Sequence, residues 1–209
     1  MKSDISPAII RRLPRYYRIA RQLVGNDILR ISSAELAELA AVTPSQIRQD
    51  FRQLGGIGQQ GYGYNVKDLY SRLGDLMGMN EMKAAVLVSD NLLGSALLEQ
   101  QLLRLRGITL RACFGDFPAD FPVECRPLED FPAYCAENPV DMLILSVSRE
   151  SAPALAEDAI RCGVRGIWNL SGCELTAENV VIHNINLSDD LLAFCYELNA
   201  QRPDRSRQE

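Results

Sequence analysis

Two changes of pattern along the chain predict an α/β protein built in two parts. Over residues 1–80 the apolar residues recur at helical spacing, in short segments with clear start signals. From residue 81 continuous apolar runs alternate with helical stretches, the pattern of a parallel sheet covered by helices. Charge divides at the same place. Residues 1–80 hold 11 Lys+Arg and 7 Asp+Glu, a net of about +4, whereas residues 81–209 hold 11 and 20, about −9. The whole-chain charge of −5 conceals a basic module on an acidic body. That split is the electrostatic footprint of a nucleic-acid binder with a separate effector part.

In the first part, Arg11, Arg12, Arg15, Arg18 and Arg21 lie close together with Tyr16 and Tyr17 between them. Arg11, Arg15 and Tyr17 are candidate DNA contacts from this group. A capping box, Ser32 with Glu35, then opens a short helix, with Ile31 and Leu36 as its hydrophobic staple. Leu36, Ala37 and Leu39 are expected to bury, and the small pair Ala40-Ala41 allows a tight turn. A second helix starts at Thr43, a natural N-cap, with Pro44 at the first helical position, where a missing N–H is harmless. Gln46 would complete another capping box, and Val42 would staple onto Ile47. Ile47, Phe51 and Leu54 form one buried stripe at i, i+4 and i+7. Ser45, Gln46, Arg48, Gln49, Arg52 and Gln53 are left outward. Glutamine can pair with adenine, arginine with guanine or phosphate, and serine with either. Two capped helices joined by a tight turn read as helix-turn-helix, or as an ordinary helical hairpin with a polar face.

The next segment favours the first of those. Gly55, Gly56, Gly58, Gly61 and Gly63 permit positive φ and close backbone approach, while Ile57, Tyr62, Tyr64 and Val66 are strand formers. Gln59-Gln60, flanked by Gly58 and Gly61, would be the tip of a two-stranded wing, with Gly58, Gln59, Gln60 and Tyr62 near phosphate or minor groove.

In the second part, residues 84–88 (AAVLV), 108–114, 141–147 (DMLILSV), 164–169 and 180–185 are expected strands. Helices are expected over 93–105, 151–162 and 187–198. This alternation predicts a parallel sheet of Rossmann type, with a ligand crevice at the carboxyl ends of its strands. The last helix carries Leu191, Leu192, Phe194, Cys195 and Leu198, more apolar surface than one narrow face needs, so a partner chain is expected to share it. The expected divisions are 1–80, 81–185, 186–200 for the last helix, and a disordered tail at 201–209.

A chain of 209 residues has room for one or two domains and a sizeable core. Its 47% hydrophobic and 23% charged content is ordinary for a soluble protein. No run reaches the length of a membrane span and the N-terminus lacks a signal-peptide core, so the expected location is the cytoplasm, with no membrane partner. Six cysteines stand at wide spacings without metal-ligand patterns. Most read as small core residues; a thiol redox sensor is the alternative, though no basic neighbour singles out one of them. The single histidine, His183, falls on an expected strand, and no nucleophile–base set or paired-carboxylate motif accompanies it. An enzyme on a nucleotide- or CoA-binding Rossmann domain is therefore the weaker alternative to a DNA-binding regulator.

The chain resembles the Rex family of redox-sensing transcriptional repressors. The resemblance rests on LPRYYR (13–18), ISSAELAELAAVTPSQIRQDF (31–51) and GGIGQQGYGYNV (55–66), and spans nearly the whole length. It implies a winged helix, an NAD(H)-binding Rossmann domain, and a homodimer whose last helix swaps into the partner. It further implies an A/T-rich palindromic operator, released on NADH binding and favoured by NAD+. The departures gather in the nucleotide half. Where the family has G-x-G-x-x-G, this chain has Ser89, Asp90, Asn91, Leu92, Leu93 and Gly94. Only the third glycine remains, the one that serves helix–strand packing; the two that make the turn and admit the pyrophosphate are gone. Asp90 is expected to cap the helix and repel an anion. Gly115 stands where the family has aspartate, and Asp116, one position later, should point to the opposite side of the strand. A family tyrosine aligns with Gln100, and a family aspartate before the last helix with Asn186. The expectation is a repressor whose NAD(H) sensing is weakened, altered or lost, taking another nucleotide or none; the alternative is an ordinary NADH/NAD+ sensor.

Overall fold

The computed structural model describes residues 5–58, 62–99, 107–118 and 121–200. The chain separates into two compact units, Met1–Glu81 and Met82–Glu209.

The first unit begins with α1 (Pro7–Gly25), started by Ser6, whose hydroxyl accepts the Ile9 N–H. β1 (Arg30–Ile31) leads to α2 (Ser33–Ala40), where the Ser32–Glu35 capping box forms in full. α3 (Pro44–Gln53) follows, capped by Thr43. β2 (Tyr64–Asn65) and α4 (Val66–Leu76) complete the unit. Ile9, Leu13, Tyr16 and Ile19 of α1, Leu36 of α2, Ile47 and Phe51 of α3, and Leu69 and Leu73 of α4 share one core. Phe51 sits edge-on to both Tyr16 (5.4 Å) and Tyr64 (4.9 Å).

Three local expectations change here. Leu39 is 52% exposed; Leu36, Ala37 and Ala40 face the core instead, because α2 presents its i, i+1 and i+4 positions inward. Val66 is not a strand residue but the first residue of α4, started by Asn65, whose side chain accepts the Asp68 N–H. Among the described residues β2 pairs antiparallel with β1 (Arg30 with Asn65, Ile31 with Tyr64) rather than with the segment at Ile57. Between α2 and α3, Ala41 adopts the left-handed conformation (φ 48°, ψ 50°). Its N–H reaches Glu38 O, and the Val42 N–H reaches Ala37 O at 3.0 Å, which reverses the chain within one residue.

The second unit is a six-stranded parallel sheet. Its strands are β3 (Lys83–Ser89), β4 (Ile108–Gly115), β5 (Cys125–Arg126), β6 (Met142–Ser146), β7 (Gly166–Asn169) and β8 (Val181–Asn184), in the order β5-β4-β3-β6-β7-β8. α5 (Leu92–Glu99), α6 (Phe131–Glu137), α7 (Ala152–Arg161) and α8 (Leu187–Ala200) lie along the same stretch of chain. β5 and α6 were not expected: a two-residue strand and a seven-residue helix are too short for periodicity to register. The helix expected over 93–105 is described as far as Glu99, and residues 100–106, Gln100 included, lie outside the described residues, as do 201–209.

Alternation along β3 builds two cores. Val86 and Val88 face Phe131, Cys135, Ala152 and Ala156 of α6 and α7 on one side; Ala85 and Leu87 join Cys113 and Ile144 on the other. α8 has no buried residue, and Leu187, Leu191, Leu192, Phe194, Tyr196 and Leu198 are all at least half exposed. Strand order reverses between β3 and β6, so a strand-end crevice is expected beside Ser89.

Candidate functional site

On α3 the buried stripe works as expected: Ile47, Phe51 and Leu54 are inside, and Ser45, Arg48, Gln49 and Arg52 are exposed at i, i+3, i+4 and i+7 along one outward face. Arg48 is held forward by two hydroxyls. Its guanidinium donates to Ser45 Oγ (3.1 Å) and to Ser33 Oγ (3.2 Å), the latter at the start of α2. Arg11 and Arg15 are exposed on α1.

Gln46 and Tyr17 are placed differently from the others. Thr43 Oγ1 accepts the Gln46 N–H at 3.1 Å, but the Gln46 side chain does not complete a capping box; its Nε2 donates to Asp50 Oδ1 at 2.7 Å. Tyr17 is half-buried, with its ring stacked on Tyr70 (4.9 Å) and the two hydroxyls 3.1 Å apart. Both therefore brace helices in this structure.

Asp50 is the residue that sequence reasoning passed over. It is fully buried and takes four hydrogen bonds: Arg12 Nε to Oδ2 (2.7 Å), Arg12 Nη2 to Oδ1 (2.8 Å), Tyr16 Oη to Oδ2 (2.7 Å) and the Gln46 amide. Burial alone would push its carboxyl up; the bonds from Arg12, Tyr16 and Gln46 overcome that and hold it below the ordinary range. The signal was available. Asp50 lies between Ile47 and Leu54 on the apolar side of α3, where a carboxylate requires a buried cation.

At the wing root, Gly58 (φ +97°) packs so closely that a Cβ would overlap the Tyr64 ring, and at Gly63 (φ +68°) a Cβ would lie 2.6 Å from Ile31 O. Tyr62 is 71% exposed. The expected tip, Gln59, Gln60 and Gly61, lies outside the described residues.

In the second unit a crevice of about 520 Å³ opens at the carboxyl ends of β3, β4 and β5. Ser89, Asp90, Gly115, Asp116, Cys125, Arg126 and the turn 127–129 line it. Its fingerprint loop is occupied by its own side chains. Ser89 Oγ donates to Asn91 O (2.9 Å) and accepts the Asn91 N–H (3.3 Å). Asn91 Oδ1 accepts the Leu93 N–H (3.1 Å) and the Ser146 hydroxyl (3.1 Å), while its Nδ2 donates to Ser146 O (2.9 Å). Asp90 Oδ2 accepts the Ser148 N–H at 3.0 Å. The cap on α5 is therefore Asn91, not Asp90 as the sequence suggested; Asp90 reaches across the switch point to the loop after β6. Leu92 is exposed and Leu93 half-buried.

Gly94 holds the role expected of the third glycine, since a Cβ there would overlap Ser89 Oγ and Cβ. Gly115 (φ +122°) lies against Ser89, and a Cβ there would overlap the Ser89 carbonyl oxygen. An aspartate at 115 does not fit this backbone. Asp116 corrects the alternation argument: β4 ends at Gly115, so Asp116 stands beyond the pleat and lines the same crevice as Ser89 and Asp90.

A dinucleotide pyrophosphate in this fold needs free amides at the first turn and room for close backbone approach. Here the Leu93 amide is bonded to Asn91, a side chain fills the second glycine position, and a carboxylate stands between the two loops. Among the described residues no cluster of histidine, cysteine, aspartate or glutamate suits a metal, and no helix is long and apolar enough to cross a membrane.

Comparisons with known proteins bear on both units. A family model described as "Putative DNA-binding protein N-terminus" matches residues 4–51. The chain is 38% identical over 206 residues to the redox-sensing transcriptional repressor Rex of Thermoanaerobacter pseudethanolicus, covering 96% of this chain and 92% of that one. It is 38% identical over 204 residues to that of Clostridium novyi, covering 95% and 97%. Among solved structures it is similar to RSP in complex with β-NAD+ and operator DNA (TM-score 0.85, 37% identity, 96% of this chain and 95% of that one). It is also similar to RSP in complex with β-NADH (TM-score 0.81, 34% identity, 96% and 97%).

Proposed function

We propose a function from the premise that the chain belongs to the Rex family of redox-sensing transcriptional repressors: it is a cytoplasmic DNA-binding repressor, a regulator and not an enzyme, that acts as a homodimer and responds weakly or differently to NAD(H). One observation carries this reading. The outward face of α3 keeps its readers exposed, whereas amides of the two strand-end loops are bonded to Ser89, Asp90 and Asn91.

On this reading α3 enters the major groove, with Ser45, Arg48, Gln49 and Arg52 toward base edges and phosphates. Arg11, Arg15 and the wing residues Gly58, Gln59, Gln60 and Tyr62 bind backbone and set the register. Gln46 and Tyr17 serve the same surface indirectly, by fixing α3 and α1. A two-fold dimer reads two related half-sites, so the operator is a palindrome, A/T-rich by family likeness. The exposed apolar face of α8 is the natural place for the partner chain. Operator binding by fluorescence anisotropy, with NADH and NAD+ titrated calorimetrically into the same protein, tests the reading. Specific operator binding with weak or absent NADH binding is expected; tight NADH binding that releases the operator overturns it.

One observation favours the alternative of an ordinary NADH sensor. Asp116 lines the crevice, where a carboxylate could accept a ribose hydroxyl despite its late position. The same titration separates the two.

A further inference from the structure

Two cysteines stand side by side on neighbouring strands, one of them on the crevice wall, and neither the family resemblance nor the DNA-reading surface uses them. Cys113 on β4 and Cys125 on β5 are direct partners in the parallel register. Neighbouring strands lie about 4.8 Å apart, inside the ~4.4–6.8 Å range of Cα separations that a disulfide spans. In-register neighbours of a pleated sheet also share a face, so both side chains leave it on the same side. Their environments differ. Cys113 is buried with Ala85, Leu87 and Ile144, whereas Cys125 is exposed on the crevice wall.

We infer that Cys113 and Cys125 form a reversible dithiol–disulfide site, oxidised through the crevice by a small peroxide, with Cys125 as the attacking sulfur and Cys113 as the resolving one. Access selects Cys125, since a solute of peroxide size enters the crevice and meets that sulfur first. The Cys125 thiol donates to Val123 O at 3.3 Å, and the neighbouring Cys113 partly offsets the upward push of burial on it. Burial pushes the Cys113 thiol up to about 12, so it stays protonated until it resolves the sulfenic acid.

The chemistry balances in two steps. Cys125 Sγ attacks one peroxide oxygen; the O–O bond breaks, and Cys125 sulfenic acid and one water (or alcohol, from an organic peroxide) result. Cys113 Sγ then attacks Cys125 Sγ; the S–O bond breaks, the S–S bond forms, and the hydroxyl leaves as water with the Cys113 proton. The two thiols lose two electrons and the peroxide gains two. A small thiol reverses the reaction by exchange. The site works whether or not the chain binds NAD(H).

The full-length reduced protein is treated with stoichiometric hydrogen peroxide, and intact mass and cross-linked peptides are read by mass spectrometry. A loss of about 2 Da, restored by dithiothreitol, with the 113–125 peptide pair as the main product, is expected. Cys125→Ser, at an exposed position, should abolish the cross-link, and Cys113→Ser should leave Cys125 as sulfenic acid that a dimedone probe captures. Overoxidation of Cys125 in the unaltered protein without a cross-link overturns the inference. So does a dominant link between another pair, such as Cys135 with Cys162. If Cys113→Ser does not fold, Cys125→Ser and the unaltered protein still decide the matter.

Discussion

Arg12 and Asp50 meet in a bidentate pair, with Nε 2.7 Å from Oδ2 and Nη2 2.8 Å from Oδ1, and so tie α1 to the buried side of α3. Tyr16 and Gln46 complete the shell, and none of Asp50's polar atoms is left unbonded. Removing the carboxylate leaves Arg12, 26% exposed, within reach of water, but it deprives the buried Tyr16 hydroxyl of its acceptor. Asp50→Ala should destabilise the first unit by roughly 1–3 kcal/mol. Urea unfolding followed by circular dichroism would measure it, and an unchanged midpoint would show that the pair contributes nothing net.

The same carboxylate sets an acid limit. Its pKa is lower in the folded chain than in the unfolded one, so the stability it contributes is fully present above the ordinary carboxylate pKa. That stability is lost as pH falls through the depressed folded value. The first unit should therefore hold its melting temperature from pH 7 to about 5 and lose it below about 4. Asp50→Asn should be less stable at pH 7 and show a shallower acid decline. Parallel slopes for the two proteins would assign the acid loss to other carboxylates.

Arg48 is exposed, aimed by Ser33 and Ser45, and central on the outward face. Arg48→Ala should weaken operator binding by about 1–3 kcal/mol and reduce the preference over a scrambled duplex. Arg11→Ala should weaken both duplexes alike and lower the salt slope by about one. Anisotropy titrations at several salt concentrations distinguish the two patterns, and an Arg48 variant that discriminates as before would remove it from base reading.

Reopening the fingerprint is the converse test. Ser89→Gly with Asn91→Gly deletes the side chains that fill the loop and the cap on α5, and Asp90→Ala removes the carboxylate. The triple variant should gain at least about tenfold in NADH affinity, equivalent to ~1.4 kcal/mol. It should lose only about 0.3 kcal/mol of stability with the Asn91 cap, since glycine is itself tolerated there. No gain in affinity would mean that the loop is not what limits the nucleotide.

Ala41 turns the chain between α2 and α3 in a conformation that L-residues with a Cβ reach only at some cost. Ala41→Gly should stabilise the first unit by about 0.5 kcal/mol, the relief of the left-handed conformation exceeding the extra freedom of glycine in the unfolded chain. Denaturant melts would reveal a lower midpoint if the small side chain is packing usefully.

Sequence was most informative where local rules act alone. Ser32, Glu35, Thr43 and Pro44 start helices by contacts within one turn, and the 47–51–54 stripe needs only a periodicity. It was least informative where a side chain chooses among distant partners. Nothing local says that Asp90 reaches Ser148, 58 residues on, while Asn91 does the capping; Gln46 had two partners within one turn, and the burial of Asp50 by α1 decides between them. Asp116 was misplaced for a related reason: alternation holds only while a strand lasts, and β4 stops one residue earlier.

Gly94 touches Ser89 so closely that no larger residue fits. The two positions are therefore coupled: a side chain at 89 leaves room only for glycine at 94, and glycine at 89 would remove the overlap. The end of β3 thus decides what the first turn of α5 can carry, and a change at Ser89 reaches that helix without passing through any ligand.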